Sequence, residues 1–75
     1  VIYDNEPRNK EINKQIEKTI DQGKSVCLWP DTMEYKDIND MVIGGYTKEE
    51  IQEIITDNTF SGVAAKLRFA EWRRV

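Results

Sequence analysis

The sequence predicts a small α/β domain, built on a βαβ unit with two parallel strands and flanking helices. Two short apolar runs, Val1–Tyr3 and Ser25–Trp29, are typical of strands that are covered on both faces. An amphipathic helical repeat lies between the two runs. A strand, a helix and a second strand within the first 30 residues predict a right-handed crossover with parallel strands.

The first helix is expected over residues 8–22. One apolar stripe recurs every four residues among charged side chains, and it consists of Ile12, Ile16 and Ile20. Pro7 suits a first helical turn, because its missing N–H has no partner there. Gly23 suits the end of the helix. Pro30 then ends the second strand, because proline cannot donate to a sheet ladder.

Two further helices follow a polar loop at residues 31–36. Asp37 is expected to cap a short helix that stops at Gly44-Gly45. Thr47 and Glu50 have the spacing of a capping box, and an isoleucine stripe extends the next helix over residues 48–57.

Residues 63–69 fit either a strand or a helix. The alternation of Val63, Ala65, Leu67 and Phe69 with other residues favours a strand, which is the preferred interpretation. A helix would instead group Phe60, Val63, Ala64 and Leu67. Because two parallel strands alone do not make a stable sheet, a third strand or a partner chain is expected.

The composition limits the classes of protein that this chain can represent. Its 75 residues allow one domain with a small core, and no stretch has the length of a membrane span. A single cysteine and no histidine exclude a structural zinc site and fit a reducing compartment, so we expect a cytoplasmic location. The net charge is −3, but residues 66–75 carry +3, which indicates either a solvated basic end or a phosphate-contacting one.

Acidic side chains follow both predicted strands. Asp4 and Glu6 come directly after the first strand, and Asp37 and Asp40 follow the second. Because parallel strands end at the same edge of a sheet, these carboxylates are expected to lie together and to suit Mg²⁺. Each also has a simpler role open to it, since Glu6 and Asp37 could cap helices and Asp4 could form a turn.

Four basic side chains are candidates for contacts with phosphate or nucleic acid: Arg8, Lys36, Lys66 and Arg68. Arg8 could instead pair with Glu6, and Lys36 could neutralise the neighbouring acids. Trp29 is expected to pack in the core or at its rim, with base stacking as the alternative. Cys27 is expected to be a small buried hydrophobic residue.

Three segments together resemble a known family. They are Asp4-Asn5-Glu6-Pro7-Arg8, Lys36-Asp37-x-Asn39-Asp40-Met41 and Gly62-Val63-x-Ala65-Lys66-Leu67-Arg68. The first resembles the acidic strand exit of the toprim domain, which primases, topoisomerases and related nucleases share. In order and spacing, the whole chain resembles the C-terminal part of the toprim domain in DNA primases of T-even-type phages.

This resemblance implies a Rossmann-like fold and a nucleotidyltransferase that makes RNA primers from ribonucleotides on single-stranded DNA. It implies Mg²⁺ or Mn²⁺ as cofactor, a replicative helicase as partner, and the cytoplasm of the host cell as location. Asp4 and Glu6 match the catalytic, metal-binding acidic pair, and Asp37 matches the later metal-binding segment.

The chain also departs from the family pattern. The usual pair is Asp-x-Asp, whereas the second acid here is Glu6. The family's catalytic glutamate belongs to an earlier strand, and its zinc-binding region also comes earlier. Because the chain opens on a strand and not on Met, we interpret it as an excised C-terminal piece that is inactive alone.

Two other functions remain open at this point. One is a toprim nuclease or recombination-type protein. The other is a non-catalytic α/β module that docks a replication partner through residues 66–75. Self-association is also expected to be possible, because a chain that begins at a strand leaves an unpaired sheet edge.

Overall fold

A computed structural model describes residues 1–73 of the chain. Helices dominate this part of the chain, and two very short strands lie among them. In chain order the elements are α1 (Lys10–Asp21), β1 (Val26–Cys27), α2 (Ile38–Ile43), α3 (Lys48–Asp57), β2 (Thr59–Phe60) and α4 (Gly62–Trp72). The prediction of a mixed α/β domain is therefore confirmed in its secondary-structure content, which includes both helices and strands.

The sheet pairs β1 with β2 in antiparallel orientation, with Val26 opposite Phe60. The segment 1–3 joins the other side of β1 through an isolated parallel bridge between Ile2 and Cys27. Within it, the Cys27 N–H donates to the Val1 carbonyl at 2.9 Å. The segment before α1 and the strand after it are thus joined by one parallel bridge, while a full parallel βαβ unit stays a prediction.

Helix α1 lies within the predicted range 8–22 but begins later than expected. Its N-cap is Asn9, whose side-chain oxygen accepts from the backbone N–H groups of Glu11 and Ile12. The placement of Pro7 in the first helical turn is wrong, because Asn9 offers a cap that proline cannot supply. Gly23 follows the helix with φ of 77°, as the prediction of a glycine stop requires.

Helices α2 and α3 confirm the predictions made from their caps. The Asp37 carboxylate accepts from the Asp40 N–H at 2.8 Å at the start of α2. Thr47 and Glu50 form a complete capping box at the start of α3. The backbone and side-chain hydrogen bonds to Thr47 lower the pKa of Glu50 below its ordinary value.

The preferred strand over residues 63–69 is wrong, because these residues belong to α4. The buried side chains of α4 are Ala65, Phe69 and Trp72, at the three- and four-residue intervals of a helix. Alanine, leucine, lysine and arginine are strong helix formers, and they outweigh the apparent alternation. The helical alternative was nevertheless assigned the wrong face, since Val63 and Leu67 point to solvent.

The core has two halves, one on each face of residues 26–29, which comprise β1 and the two residues after it and are called the β1 segment. Val26 and Leu28 pack with α1 and α4, whereas Cys27 and Trp29 pack with α2 and α3. The predicted coverage on both faces is confirmed, although the strand comprises only Val26–Cys27 of the predicted range 25–29. Burial raises the pKa of the Cys27 thiol to about 11, against the smaller opposing effect of the N-terminal ammonium group.

Within residues 1–73, every helix is too short or too polar to cross a lipid bilayer.

Candidate functional site

A cleft of about 340 Å³ opens where the segment 1–3, the end of the β1 segment and the start of α2 meet. Its polar lining residues are Asp4, Asp37 and Asn39. The remaining wall is apolar or aromatic and comprises Ile2, Tyr3, Trp29 and Ile38. We call this surface the acidic cleft.

Asp4 reaches the acidic cleft because the chain before it is fastened to β1. The Trp29 indole N–H donates to the Tyr3 carbonyl at 2.9 Å, one residue before Asp4. Trp29 is 1% exposed, so this bond is formed by a fixed side chain in the core. The packing role predicted for Trp29 is confirmed, and its ring also forms part of the cleft wall.

Asp37 enters the same cleft from the first turn of α2. One oxygen of its carboxylate is engaged in capping, since it accepts from the Asp40 N–H. This bond uses one of the roughly four lone-pair sites of the carboxylate, so both oxygens can still contact a ligand in the cleft. The helix start thus fixes the position of this carboxylate and leaves it able to bind a ligand.

Asn39 is the residue of the acidic cleft that was not selected from the sequence. It lies two residues after Asp37, and its side-chain amide is a neutral oxygen donor of the kind that hard cations accept. Its presence in the Asp37-x-Asn39 segment was a usable signal, because alternate oxygen-bearing side chains are common in cation-binding loops. In the sequence, Asn39 belongs to the segment Lys36-Asp37-x-Asn39-Asp40-Met41, where it is also compatible with a polar turn.

Glu6 lies on a different surface from Asp4, although only one residue separates them. A tight turn in which the Glu6 N–H donates to the Asp4 carbonyl reverses the chain here. The Glu6 carboxylate then accepts from the Asn9 side-chain amide at 3.1 Å, next to the start of α1. It lines a separate shallow depression with Pro7, Arg8 and Asn9.

The donor set of the acidic cleft fits a hard divalent cation with few protein ligands. Among residues 1–73, no cluster of three or more histidine, cysteine, aspartate or glutamate side chains could hold a metal ion. Mg²⁺ is commonly bound through only one or two carboxylates, with waters and substrate phosphates completing its six positions. Two carboxylates and an amide oxygen match that mode of binding.

The basic candidates are distributed over separate surfaces. Arg68 is half-buried, and its guanidinium donates to the Trp29 carbonyl at 3.1 Å, which gives it a structural contact. Lys66 lies in a groove between α1 and α4, where Glu17 and Asp21 are also present. Lys36 is exposed and directly precedes Asp37. Arg74, part of the predicted basic end, lies outside the described residues.

The sequence has a counterpart among known proteins. It is 34% identical over 76 residues to a protein named DNA primase from Enterobacteria phage T4, with 99% of this chain aligned. The chain is similar to a phage DNA primase over nearly all of its length. It spans 22% of the length of that primase. No protein-family model matches the chain.

Proposed function

We propose that this chain is part of a DNA primase and that its acidic cleft binds Mg²⁺ or Mn²⁺ for RNA primer synthesis. The observation that carries the proposal is the shared cleft of Asp4 and Asp37, in a chain that resembles a phage primase. The substrates proposed with it are a single-stranded DNA template and ribonucleotides. The proposed setting is phage replication in the cytoplasm of the host cell.

The chemistry proposed for the cleft is phosphoryl transfer. A bound cation would stabilise negative charge on phosphate oxygens. Asp4 and Asp37 would hold the cation, while Asn39 would add an oxygen without adding charge. Glu6 ranks behind Asp4 and Asp37 as a candidate cation ligand, because its carboxylate already accepts a hydrogen bond from the Asn9 amide.

We also propose that the segment 1–3, α1 and β1 belong to a toprim-like βαβ unit. The parallel bridge between Ile2 and Cys27 supports this idea, because it puts both chain exits at one edge. Toprim nucleases and recombination-type proteins share such a unit, so a nuclease is the alternative reaction class.

The function is tested with a chimera, in which this chain replaces the matching segment of the T4 primase. The chimera is then assayed for primer synthesis. The proposal predicts Mg²⁺-dependent primers from the chimera, and none from the chimera carrying Asp4→Asn. A folded chimera that makes no primers, or whose Asp4→Asn version is equally active, counts against the proposal. Cleavage of the DNA template in the same reactions would support the nuclease alternative.

A docking role is favoured by a separate observation on α4. Val63 and Leu67 are 72% and 65% exposed and lie one helical turn apart, next to the basic Lys66. We propose a replicative helicase as the partner of this face. Removing residues 66–75 cannot test the idea, because Phe69 and Trp72 would leave the core.

The helicase proposal is tested with the single substitution Leu67→Asp, compared with Val42→Asp on the exposed side of α2. Both place a new charge at an exposed apolar position. We expect only Leu67→Asp to weaken binding to the replicative helicase in a pull-down. Equal binding by the two variants would exclude this face.

Self-association is proposed through the free edge of the segment 1–3. Ile2 is 47% exposed, and its position at the bridge leaves the outer side of this segment open to another chain. Sedimentation velocity over a range of concentrations measures it. A constant sedimentation coefficient over that range would exclude the proposal.

A further inference from the structure

Asn5 joins the two chain segments that supply the carboxylates of the acidic cleft. Its side-chain amide donates to the Met33 carbonyl at 2.9 Å and to the Tyr35 carbonyl at 3.1 Å. Its backbone N–H also donates to the Lys36 carbonyl. One residue thus makes three hydrogen bonds to the loop that leads into α2.

These hydrogen bonds connect the immediate neighbours of Asp4 and Asp37 in the sequence. Asn5 directly follows Asp4, and Lys36 directly precedes Asp37. The residues from 28 to 37 contain no helix or strand. A loop without regular structure depends on such side-chain contacts for its position. The distance between the two carboxylates is therefore linked to the contacts of Asn5.

We infer that Asn5 is a positioning residue that holds Asp37 opposite Asp4 across the acidic cleft. This inference rests on the proposed cation-binding function. Asn5 acts here through its amide donors, because its Nδ2 group is directed at two backbone carbonyls. The residues around a metal site orient its ligands, and their replacement commonly lowers metal affinity.

Replacement by aspartate separates position from charge. Asn5→Asp keeps the size of the side chain but removes both donors, and it sets a carboxylate against the Met33 and Tyr35 carbonyls. It also adds a negative charge next to Asp4. If charge alone governs the cleft, this variant binds a cation more tightly than the wild type. If position governs it, the variant binds less tightly.

The experiment measures Mn²⁺ affinity of the 75-residue chain by water-proton relaxation, for the wild type, Asn5→Ala and Asn5→Asp. The control is Asn58→Ala, which removes a comparable contact of a half-buried asparagine, from its amide to the Ile54 carbonyl. We expect roughly tenfold weaker binding in both Asn5 variants and unchanged binding in Asn58→Ala. Circular dichroism gives the folded fraction, and affinities refer to folded protein.

The outcomes separate this inference from the function on which it rests. If the wild type binds no Mn²⁺ at millimolar concentration, both the cation site and the inference fail. If the wild type binds and Asn5→Asp binds equally or more tightly, only the positioning role fails. If Asn5→Ala does not fold, the comparison of Asn5→Asp with Asn58→Ala decides, and equal affinities there overturn the inference.

Discussion

The Trp29 indole N–H donates to the Tyr3 carbonyl at 2.9 Å and thereby fastens the first residues of the chain to the core. The other tryptophan offers a natural comparison. Trp72 is equally buried, at 2% exposure, but its indole N–H has no hydrogen-bond partner within residues 1–73. The two side chains share size and burial, lie in different halves of the core and differ in this hydrogen bond.

Trp29→Phe is therefore expected to destabilise the protein more than Trp72→Phe. Both substitutions leave a small void, but only Trp29→Phe leaves a carbonyl without its donor, at a further cost of about 1–3 kcal/mol. Urea denaturation of the two variants measures the difference. Equal losses of unfolding free energy would show that the contact with Tyr3 contributes nothing to stability.

The two faces of α4 predict a second contrast. Phe69→Ala should cost about 3–5 kcal/mol because its ring is in the core, whereas Leu67→Ala should change stability by less than about 0.5 kcal/mol. A strand would place both residues on one face and give similar losses. Thermal or chemical denaturation of these variants therefore tests the helix directly.

The contrast between α3 and α4 shows why only part of the fold was predictable. The capping box of Thr47 and Glu50 is a local signal, and local signals fixed the range of α3 correctly. Helix α4 has no side-chain hydrogen bond from its N-cap Ser61 and carries apolar residues around much of its surface. Its period was ambiguous, because the face that is buried depends on packing with α1, a contact distant in sequence.

The small strand β2 was not predicted for a similar reason. Two residues, Thr59 and Phe60, are too few for any periodicity. They follow directly after the end of α3 and pair with β1, which lies about 30 residues earlier in the sequence. Tertiary contacts of this kind are absent from a local pattern.

Gly44 is expected to tolerate no side chain, although its backbone is compatible with one. Its φ is −75°, but a methyl group there would meet the ring of Tyr35. The ring cannot withdraw easily, because it packs edge-on against Tyr46, and both partly buried rings lie against the core. Gly44→Ala should therefore cost about 1–3 kcal/mol.

A double-mutant cycle identifies the cause of that cost. In a Tyr35→Ala background the ring is gone, so adding Gly44→Ala should change the unfolding free energy by less than about 0.5 kcal/mol. If the loss is the same in both backgrounds, contact with Tyr35 does not explain it.

The buried Cys27 thiol predicts a loss of stability at alkaline pH. Its pKa is raised from 9.0 to about 11 in the folded chain, so the unfolded chain loses this proton first as the pH rises. The contribution is complete below pH 9 and is lost between pH 9 and 11, by roughly 2–3 kcal/mol. Unfolding free energies of the wild type and Cys27→Ala across this range measure it. Parallel curves for the two proteins would contradict the prediction.

The location of the acidic cleft was predictable from the sequence, whereas the set of residues that line it was predictable only in part. Asp4 and Asp37 do line one cleft, as expected from two neighbouring chain exits. Glu6 was assigned to the same volume because sequence distance alone cannot show that a turn reverses the chain between it and Asp4. The role of Asn5 was not visible either, since its partners lie about 30 residues away.

Asp4 and Asp37 are proposed to act together as cation ligands, and one titration tests this role most directly. Mn²⁺ is added to the ¹⁵N-labelled chain, and paramagnetic broadening is followed for the wild type, Asp4→Asn, Asp37→Asn and the control Glu6→Gln. Each variant removes one negative charge, and Asn at position 37 can still cap α2.

We predict that wild-type amide signals broaden first at residues 2–4 and 37–39. Asp4→Asn and Asp37→Asn should each weaken this response at both segments, whereas Glu6→Gln should leave it unchanged. Broadening confined to residues around Glu6, or an equal response in all three variants, would contradict a shared cation site in the acidic cleft.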